Sequence, residues 1–240
     1  MIIPTYNEAE NLENIVARTF ATAPFANILV VDDASPDGTG ELADRLAGAD
    51  ARLQVLHRTA KSGLGAAYLA GFELAFDQGY DVIAQMDADG SHPPESLPAM
   101  LTELDRAGAG LVIGSRWTTG GSVVDWPRSR ELLSRSANAY ARAALGIRVK
   151  DSTAGFRAYR ASALQSIDLT RIDSEGYCFQ IEMTLCLLAA GFTVREVPIV
   201  FRDRTRGESK MSGGIVIEAM TRVTGWGLGR RASQLIHLFD

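Results

Sequence analysis

Two aspartates separated by one residue carry the clearest chemical signal in the sequence. Asp87 and Asp89 follow an apolar run that is typical of a buried strand. Such a pair can hold a divalent cation through one carboxylate while the other contacts a sugar hydroxyl, and Mg²⁺ and Mn²⁺ prefer oxygen ligands of this kind. The alternative is structural, because Asp89 or Ser91 can cap a helix that begins near Pro94.

A second acidic cluster lies in the segment Asp32–Thr39. Its carboxylates could bind a nucleobase or a ribose, but the same residues fit a strand-to-helix turn with Asp37 or Thr39 as the helix cap. The segment Lys61–Gly65 resembles a phosphate loop only superficially, because it lacks the Walker spacing and the third glycine of a Rossmann motif. We therefore interpret it as a weak dinucleotide signal.

Alternating strands and helices must position these clusters. In the first half of the chain, short apolar runs alternate with segments of helical periodicity. The predicted strands are Met1–Ile3, Asn27–Val31, Arg52–His57, Tyr80–Met86 and Gly110–Gly114, and the predicted helices run from Asn7 or Glu8 to Phe20 and over Glu41–Ala47, Gly65–Gln78 and Pro94–Ala107. This order predicts an α/β fold with a mostly parallel central sheet and helices on both faces.

The polar clusters follow the predicted strands, at the edge where parallel sheets bind their ligands. Pro4–Glu8 follows the first strand, Asp32 the second and Asp87 the fourth. Three polar clusters on one rim require a ligand with hydrogen-bond donors, a cation, or both. Three residues before Pro4 are few for a buried strand, so we expect the first strand to be truncated.

The pattern is less regular after Arg116. Residues Trp117–Arg130 are rich in Gly, Ser and Thr, which predicts a loop. Beyond this loop the predicted elements are a helix over Glu131–Leu145, a strand over Ser152–Arg160, a helix over Phe179–Ala190 and a strand over Val194–Phe201.

Composition excludes several classes of protein. The chain has 240 residues, 46% of them hydrophobic and 22% charged, which is typical of a globular protein and not of disorder, collagen or a coiled coil. A formal charge of −5 offers little support for a nucleic-acid partner. Cys178 and Cys186 lack metal-binding or redox spacing, which favours a reducing compartment, and the longest uncharged stretch, Thr19–Val31, is too short to span a bilayer.

Seven motifs, taken together and in order, are highly specific. They are Pro4-Thr5-Tyr6-Asn7-Glu8, Val31-Asp32-Asp33 with Ser35-x-Asp37-Gly38-Thr39, Asp87-Ala88-Asp89 with His92-Pro93-Pro94-Glu95, Gly114-Ser115-Arg116, Asp151-x-Thr153-x-Gly155-Phe156-Arg157, Phe179-Gln180-x-Glu182 and Arg204-x-x-Gly207-x-Ser209-Lys210. This set resembles the family 2 glycosyltransferases of GT-A fold, and within them the polyprenol-phosphate (dolichol-phosphate) mannosyltransferases.

The resemblance implies a metal-dependent transfer from a sugar nucleotide. Asp87 and Asp89 would bind the metal, Mg²⁺ or Mn²⁺, and Ser91 stands where relatives often have a glutamine as a further metal ligand. The donor-binding residues that we expect are Pro4, Tyr6, Glu8, Asp32, Asp33, Asp37, Lys61, Asp87, Ala88 and Asp89.

The charge of the acceptor decides which further groups are needed. A lipid monophosphate is already anionic, so it can attack the anomeric carbon without a general base, and the enzyme must neutralise charge instead. Guanidinium groups suit phosphate. We predict that the acceptor phosphate meets Arg116, Arg128, Arg204 and Lys210, and that Asp89, Arg116, Arg204 and Lys210 carry catalysis. The alternative for any single arginine is a solvated surface position.

We therefore expect an inverting mannosyltransferase that moves mannose from GDP-mannose to a polyprenol monophosphate at the cytoplasmic face of a membrane. Residues 1–212 would form the catalytic domain. The segment 213–240 mixes aromatic, aliphatic and basic residues, which fits a membrane-interfacial segment, although Gly225, Gly227 and Gly229 disfavour a helix there. Packing of this segment against the core, or anchoring by a separate integral membrane protein, are the alternatives.

Three other functions fit parts of the sequence. The same fold and acceptor could use UDP-glucose, because donor choice depends on small contacts that the sequence does not expose. A nucleotide-dependent oxidoreductase on a Rossmann sheet is the alternative from another class, and tight NAD binding without metal would support it. A non-catalytic subunit that binds a nucleotide sugar is the third.

Overall fold

The computed structural model describes residues 1–174, 176–204 and 219–229. Within these ranges the strands are β1 (Ile2–Thr5), β2 (Ile28–Asp32), β3 (Leu53–His57), β4 (Val82–Gln85), β5 (Leu111–Ser115), β6 (Ser122–Val124), β7 (Arg157–Arg160), β8 (Val194–Pro198) and β9 (Val200–Arg202). The helices are α1 (Leu12–Thr22), α2 (Thr39–Ala49), α3 (Leu64–Asp77), α4 (Leu97–Arg106), α5 (Arg128–Leu145), α6 (Ala161–Gln165) and α7 (Gly176–Ala189), with 3₁₀ turns at Pro94–Ser96 and Leu169–Arg171. Residues 219–229 form a further helix, α8.

Seven strands form one central sheet in the order β3-β2-β1-β4-β7-β5-β8. Neighbouring strands are parallel except at β7, which runs antiparallel to β4 and β5. The short strands β6 and β9 pair in parallel as a separate small sheet. The prediction of a mostly parallel sheet is confirmed. Because β7 runs in the opposite direction, its first residues lie at the same edge as the carboxyl ends of the other strands.

Two apolar layers cover the two faces of the sheet. Successive side chains of a strand point to opposite faces. Ile2 therefore packs in the cluster that includes residues of α3, α5 and α7, whereas Ile3 packs in the cluster that includes residues of α1, α2 and α4. Val223 of α8 is buried in the first cluster, so α8 packs on the same face as α5.

The backbone explains two differences from the predicted elements at the start of the chain. Helix α1 begins at Leu12 and not at Asn7 or Glu8, because Asn7 has a left-handed conformation with φ of 61° and a turn closed by the bond from the Asn11 N–H to the Glu8 carbonyl precedes the helix. Strand β1 continues through Pro4, since its pairing with β4 is limited to Ile2 and does not need the N–H that proline lacks.

Long-range packing explains the differences in the second half. The segment Trp117–Arg130, predicted as a loop, contains β6 and the first residues of α5. Helix α8 forms although its three glycines have a low helix propensity. At Gly227 a Cβ would lie only 2.4 Å from the carbonyl oxygen of Ala144, so the glycine permits close contact between α8 and α5. Among the described helices, none combines the length and apolar character that crossing a bilayer requires.

Candidate active site

The loops at the carboxyl edge of the sheet enclose a cavity of about 360 Å³, which we call the acidic cavity. Its lining residues are Pro4, Thr5, Tyr6, Glu8, Asp33, Lys61, Gly63, Leu64, Ala67, Asp87, Ala88, Asp89, Thr153, Gly155, Gly176, Tyr177, Gln180 and Arg204. Across the sheet, Asp33 follows β2, Tyr6 follows β1, Asp87 follows β4 and Gly155 precedes β7. Because neighbouring strands lie about 4.8 Å apart, these four positions span about 14 Å.

Asp33 holds a loop in place at one end of the acidic cavity. Its carboxylate accepts hydrogen bonds from the backbone N–H groups of Ser62 and Gly63, both at 2.9 Å. The same loop carries Lys61, whose ammonium lies 3.9 Å from the centre of the Tyr6 ring. The ring and the cation together offer a flat face and a positive charge, which suits a nucleotide.

Asp32 and Asp37 do not line the acidic cavity but connect the loops around it. Asp32 accepts hydrogen bonds from the hydroxyl of Thr5 at 2.9 Å and from that of Ser35 at 2.6 Å, which joins the ends of β1 and β2. Asp37 accepts hydrogen bonds from the N–H and the hydroxyl of Thr39, at the start of α2. Partial burial acts in the opposite direction, but these bonds lower the pKa of Asp37 below its ordinary value.

Asp87 lies at the centre of the acidic cavity, with its side chain 33% exposed. Its Oδ1 accepts a hydrogen bond from the Tyr68 hydroxyl at 3.0 Å, and its Oδ2 lies 3.8 Å from Nδ1 of His92. Removal from bulk water raises the pKa of Asp87 above its ordinary value, and the neighbouring Asp89 carboxylate adds to this effect. A cation bound beside Asp87 would favour its charged form.

Asp89 is a mostly buried residue of the acidic cavity lining, and its carboxylate faces a guanidinium. Its Oδ1 accepts a hydrogen bond from the backbone N–H of Ser91 at 3.0 Å, and its Oδ2 lies 3.3 Å from Nη2 of Arg204. Ser91 is itself buried behind the cavity wall, and this contact with Asp89 is made through its backbone. A direct bond from the Ser91 hydroxyl to a metal stays a prediction.

The Asp87 and Asp89 carboxylates fit a hard divalent cation together with a phosphate-bearing ligand. Mg²⁺ is typically bound through one or two carboxylates and completes its coordination with phosphate oxygens and water. A Cβ at position 155 would lie 3.1 Å from Oδ2 of Asp87, so Gly155 leaves space beside that oxygen. Within the described ranges, no group of three or more His, Cys, Asp or Glu side chains is arranged to hold a metal.

A second, mainly apolar cavity of about 300 Å³ adjoins the acidic one, and we call it the apolar cavity. It is lined by Arg116, Trp126, Leu133, Ser134, Ser136, Ala137, Asn138, Tyr140, Ala141, Thr153, Tyr177, Ile181, Ala219, Met220 and Val223. Thr153 and Tyr177 line both cavities. A molecule bound in one cavity can therefore contact a molecule bound in the other.

Arg116 supplies a positive charge to the apolar cavity. Its Nε and Nη2 donate to the two carboxylate oxygens of Asp151 at 2.8 and 2.6 Å, and Nη2 also donates to the Thr153 hydroxyl at 2.9 Å. Burial disfavours the charged guanidinium, but the Asp151 carboxylate outweighs this and raises the pKa of Arg116. The guanidinium is therefore charged, fixed in orientation and close to the junction of the cavities.

The structure brings most of the predicted site residues together. Pro4, Tyr6, Glu8, Asp33, Lys61, Asp87, Ala88, Asp89 and Arg204 line the acidic cavity, and Arg116 lines the apolar one. Asp32, Asp37 and Ser91 are outside the lining, and Arg128 is exposed at the first residue of α5. Lys210 lies outside the described residues. The roles assigned to these residues stay predictions.

Sequence reasoning missed several residues that line the acidic cavity, including the two that line both cavities. Thr153, Gly155 and Gln180 belong to motifs that carry the family resemblance, and their polar or minimal side chains were the signal that could have identified them. Tyr177 belongs to none of these motifs. Only the packing of α7 brings it to the junction.

The fold and the position of the acidic cavity define a class of protein. Two solved structures of glucosyl-3-phosphoglycerate synthase from Mycobacterium tuberculosis match with TM-scores of 0.64 and 0.63, at 19% and 20% identity. The matches cover 95% and 96% of this chain and 78% of the other chain in both cases. The architecture is that of the GT-A glycosyltransferases.

Sequence comparison identifies the family. The model of glycosyl transferase family 2 matches residues 1–168. The polyprenol monophosphomannose synthase of Mycolicibacterium smegmatis is 56% identical over 232 residues, which cover 96% of this chain and 87% of that protein. The undecaprenyl-phosphate mannosyltransferase of Micrococcus luteus is 53% identical over 96% of this chain and 94% of its own length. The chain belongs to glycosyl transferase family 2, which confirms the predicted resemblance.

A more distant relative comes from an archaeon. The dolichol-phosphate mannosyltransferase of Pyrococcus furiosus is 39% identical over 227 residues, which cover 93% of this chain and 62% of that protein.

Proposed function

We propose that this protein transfers mannose from GDP-mannose to a polyprenol monophosphate, with inversion at the anomeric carbon, at the cytoplasmic face of a membrane. The observation that carries the proposal is the junction of the two cavities at Thr153 and Tyr177. One cavity offers carboxylates and the other offers an apolar wall with a charged guanidinium. The names of the relatives, which are mannosyltransferases of polyprenol, undecaprenyl and dolichol phosphates, support the sugar and the lipid.

The donor would extend across the acidic cavity in the order of the strands. Its nucleoside fits beside Tyr6 and Lys61, and its diphosphate fits beside Asp87 and Asp89 at the end of β4. The sugar would then lie toward Gly155, at the start of β7. This order turns the anomeric carbon toward the apolar cavity, where an acceptor can reach it.

Asp87 and Asp89 would hold the Mg²⁺ or Mn²⁺ ion. The bound cation supplies charge neutralisation for the departing diphosphate. Arg204 lies 3.3 Å from Asp89 and lines the same cavity, so its guanidinium can stabilise the same developing charge. Lys210, in the matching motif, is the further cation that we propose for the phosphates.

The acceptor phosphate would attack without a general base, because a phosphate monoester is anionic at neutral pH. Arg116 would bind this phosphate while Asp151 keeps its guanidinium in one orientation, so little reorganisation is needed during attack. The prenyl chain would follow the apolar wall at Leu133 and Ala137. Arg128, exposed at the start of α5, is proposed as an additional contact for the phosphate.

Exposed apolar side chains beside the apolar cavity suit a membrane surface. Leu133 on α5 and Met220 on α8 line this cavity and are 42% and 46% exposed, and Leu132, next to Leu133, is 67% exposed. Helix α5 also carries the exposed Arg135. Aliphatic and basic residues on one surface favour peripheral binding to an anionic membrane. The alternative occupant is a separate integral membrane protein that anchors the chain.

Transfer of labelled sugar to a short polyprenol phosphate tests the reaction. GDP-mannose and UDP-glucose would be offered separately, each with Mn²⁺ and with EDTA. We expect labelling from GDP-mannose only, and loss of labelling with EDTA or in the Asp89→Ala variant. Labelling from UDP-glucose only would refute the assignment of mannose. Tight NAD binding without any transfer would favour an oxidoreductase.

Vesicle binding tests the membrane contact. Burial of one leucine side chain is worth about 1.5–3 kcal/mol, so the double variant Leu132→Ser/Leu133→Ser should bind anionic vesicles about tenfold more weakly or worse. Phe25→Ser is the matched control, because Phe25 is 69% exposed and lies near the amino end of β2, at the opposite edge of the sheet. Equal binding of both variants and of the unmodified protein would exclude this surface as the membrane contact.

A further inference from the structure

A chain of buried side chains runs under the floor of the acidic cavity and ends at Gln180. The Tyr159 hydroxyl donates to Oε1 of Gln85 at 3.3 Å. Nε2 of Gln85 donates to the carbonyl oxygen of Gly155 at 3.2 Å and to Oε1 of Gln180 at 2.8 Å. Gln85, Tyr159 and Gln180 are 0%, 0% and 2% exposed, so water does not compete for these bonds.

This chain determines which way the Gln180 amide points. The carbonyl of Gly155 can only accept, so the nitrogen of Gln85 must face it, and the Tyr159 hydroxyl then donates to the Gln85 oxygen. The same Gln85 nitrogen requires an acceptor at Gln180, so the Gln180 oxygen faces Gln85. The Gln180 nitrogen is left with its N–H groups directed elsewhere.

That nitrogen is buried and has no hydrogen-bond acceptor among the residues that the structure describes. A buried donor without a partner destabilises the protein, and such groups are rare. Gln180 is also one of the residues that line the acidic cavity. A ligand oxygen bound at this wall would supply the acceptor that the protein lacks.

The strand order indicates which part of a ligand lies there. Gln180 bonds to Gln85, the last residue of β4, through the nitrogen that also bonds to the Gly155 carbonyl just before β7. Gln180 is therefore beside Asp87 on the β4–β7 side of the acidic cavity, whereas Tyr6 follows β1 on the other side of β4, and it lies one helical turn from Tyr177 at the junction with the apolar cavity. A donor that spans the cavity has its sugar at this position, between the diphosphate and the acceptor.

The chemistry of an amide limits its role. It cannot remove a proton from an acceptor, and it carries no charge to neutralise a phosphate, but its N–H can donate to a neutral sugar hydroxyl. A buried donor of this kind rejects a sugar that lacks the matching oxygen, because the N–H then stays unpaired. We infer that Gln180 donates a hydrogen bond to one hydroxyl oxygen of the transferred sugar and thereby contributes to donor specificity. This inference rests on the proposed function.

Gln180→Met removes the N–H donor, and the oxygen that accepts from Gln85, without adding a charge to the acidic cavity. The matched control is Gln78→Met, because Gln78 bonds to the Gln54 amide at 2.7 Å on the exposed surface.

Binding distinguishes a sugar contact from a structural effect. Gln180→Met should bind GDP with Mn²⁺ as the unmodified protein does, because GDP has no sugar at this position. Its affinity for GDP-mannose should fall about tenfold, the typical effect of one unpaired buried hydrogen bond. Gln78→Met should change neither affinity. An equal loss for GDP and GDP-mannose would overturn the inference.

Deoxy analogues of GDP-mannose, each lacking one sugar hydroxyl, identify the partner. One analogue should bind the unmodified protein about tenfold more weakly than GDP-mannose, and Gln180→Met should cause no further loss with that analogue. If Gln180→Met lowers the affinity for every analogue by the same factor, Gln180 does not contact one particular hydroxyl. That result would overturn this inference but not the proposed transfer of mannose. If the unmodified protein transfers only another sugar, the assignment of mannose fails, and the deoxy series of that sugar decides the role of Gln180 by the same comparison.

Discussion

The pair formed by Asp151 and Arg116 allows the most direct energetic test of the site. Asp151 is fully buried, the Arg116 side chain is 7% exposed, and three N–H groups of Arg116 donate to the carboxylate. Asp151→Asn keeps the shape of the side chain but removes its charge. The buried guanidinium therefore loses its counter-charge. In addition, the new NH₂ group faces N–H donors of Arg116 and cannot accept from them.

The expected loss is large because both groups are away from water. Breaking a buried ion pair by removal of one partner costs about 3–5 kcal/mol, whereas an exposed pair contributes about 0–1 kcal/mol. For a chain of this length, each 1 kcal/mol shifts the unfolding temperature by about 2–4 °C. Asp151→Asn should therefore lower the unfolding temperature by about 6–20 °C.

Urea unfolding measures the loss of unfolding free energy, and tryptophan fluorescence follows it with probes that lie near the pair. The Arg116 guanidinium carbon lies 5.4 and 5.7 Å from the ring centres of Trp117 and Trp126, so these rings report on the site. Asp105→Asn is the matched control, because Asp105 is 78% exposed and pairs with an arginine at 3.0 Å.

Two outcomes would refute this reasoning. If Asp151→Asn and Asp105→Asn cost the same free energy of unfolding, burial does not determine the strength of the pair. The double variant Arg116→Met/Asp151→Asn removes both charges, so it should lose less than the sum of the two single variants. Simple additivity would show that the two groups do not interact.

Three further predictions concern the surroundings of Asp87 and the packing of α8 on α5. Tyr68→Phe removes the hydroxyl that donates to Asp87 and should weaken Mn²⁺ binding in the presence of GDP about tenfold; an unchanged Mn²⁺ titration would contradict this. Gly155→Ala places a Cβ 3.1 Å from Oδ2 of Asp87 and should lower the affinity for GDP with Mn²⁺ more than that for GDP alone, as calorimetry can measure. Gly227→Ala forces a Cβ to 2.4 Å from an oxygen of α5 and should cost about 1–3 kcal/mol of unfolding free energy. Gly225→Ala, with nothing within 4 Å, should instead stabilise α8 by up to about 1 kcal/mol, and similar urea midpoints for the two variants would exclude the close contact.

Local sequence pattern predicted the central elements well. Strands β2 and β3 lie within one residue of the predicted bounds, and β2 is the buried, almost continuous apolar run that is typical of a strand covered on both faces. Helix α3 differs from its prediction by one residue at each end. The short strand β6 was missed because it pairs with β9, far away in the sequence, and has no periodicity of its own.

Side-chain direction explains which of the predicted site residues reach the cavity. Asp32 and Asp33 are adjacent, and successive residues of an extended chain point to opposite sides. Asp33 therefore lines the acidic cavity, while Asp32 bonds to Thr5 and Ser35 behind it. The sequence alone cannot distinguish the two, since that depends on where β2 lies in the sheet.

The sequence by itself determined the type of fold and the position of its chemistry: a parallel sheet has its strand ends on one edge, and Asp87 and Asp89 follow such an end. Only the tertiary structure decided how the two halves of the site meet. The pairing of Arg116 with Asp151, the direction of the Gln180 amide and the junction at Tyr177 all depend on contacts between segments distant in sequence. Local periodicity records which face of an element is buried, but it carries no information on which distant side chain that face will meet.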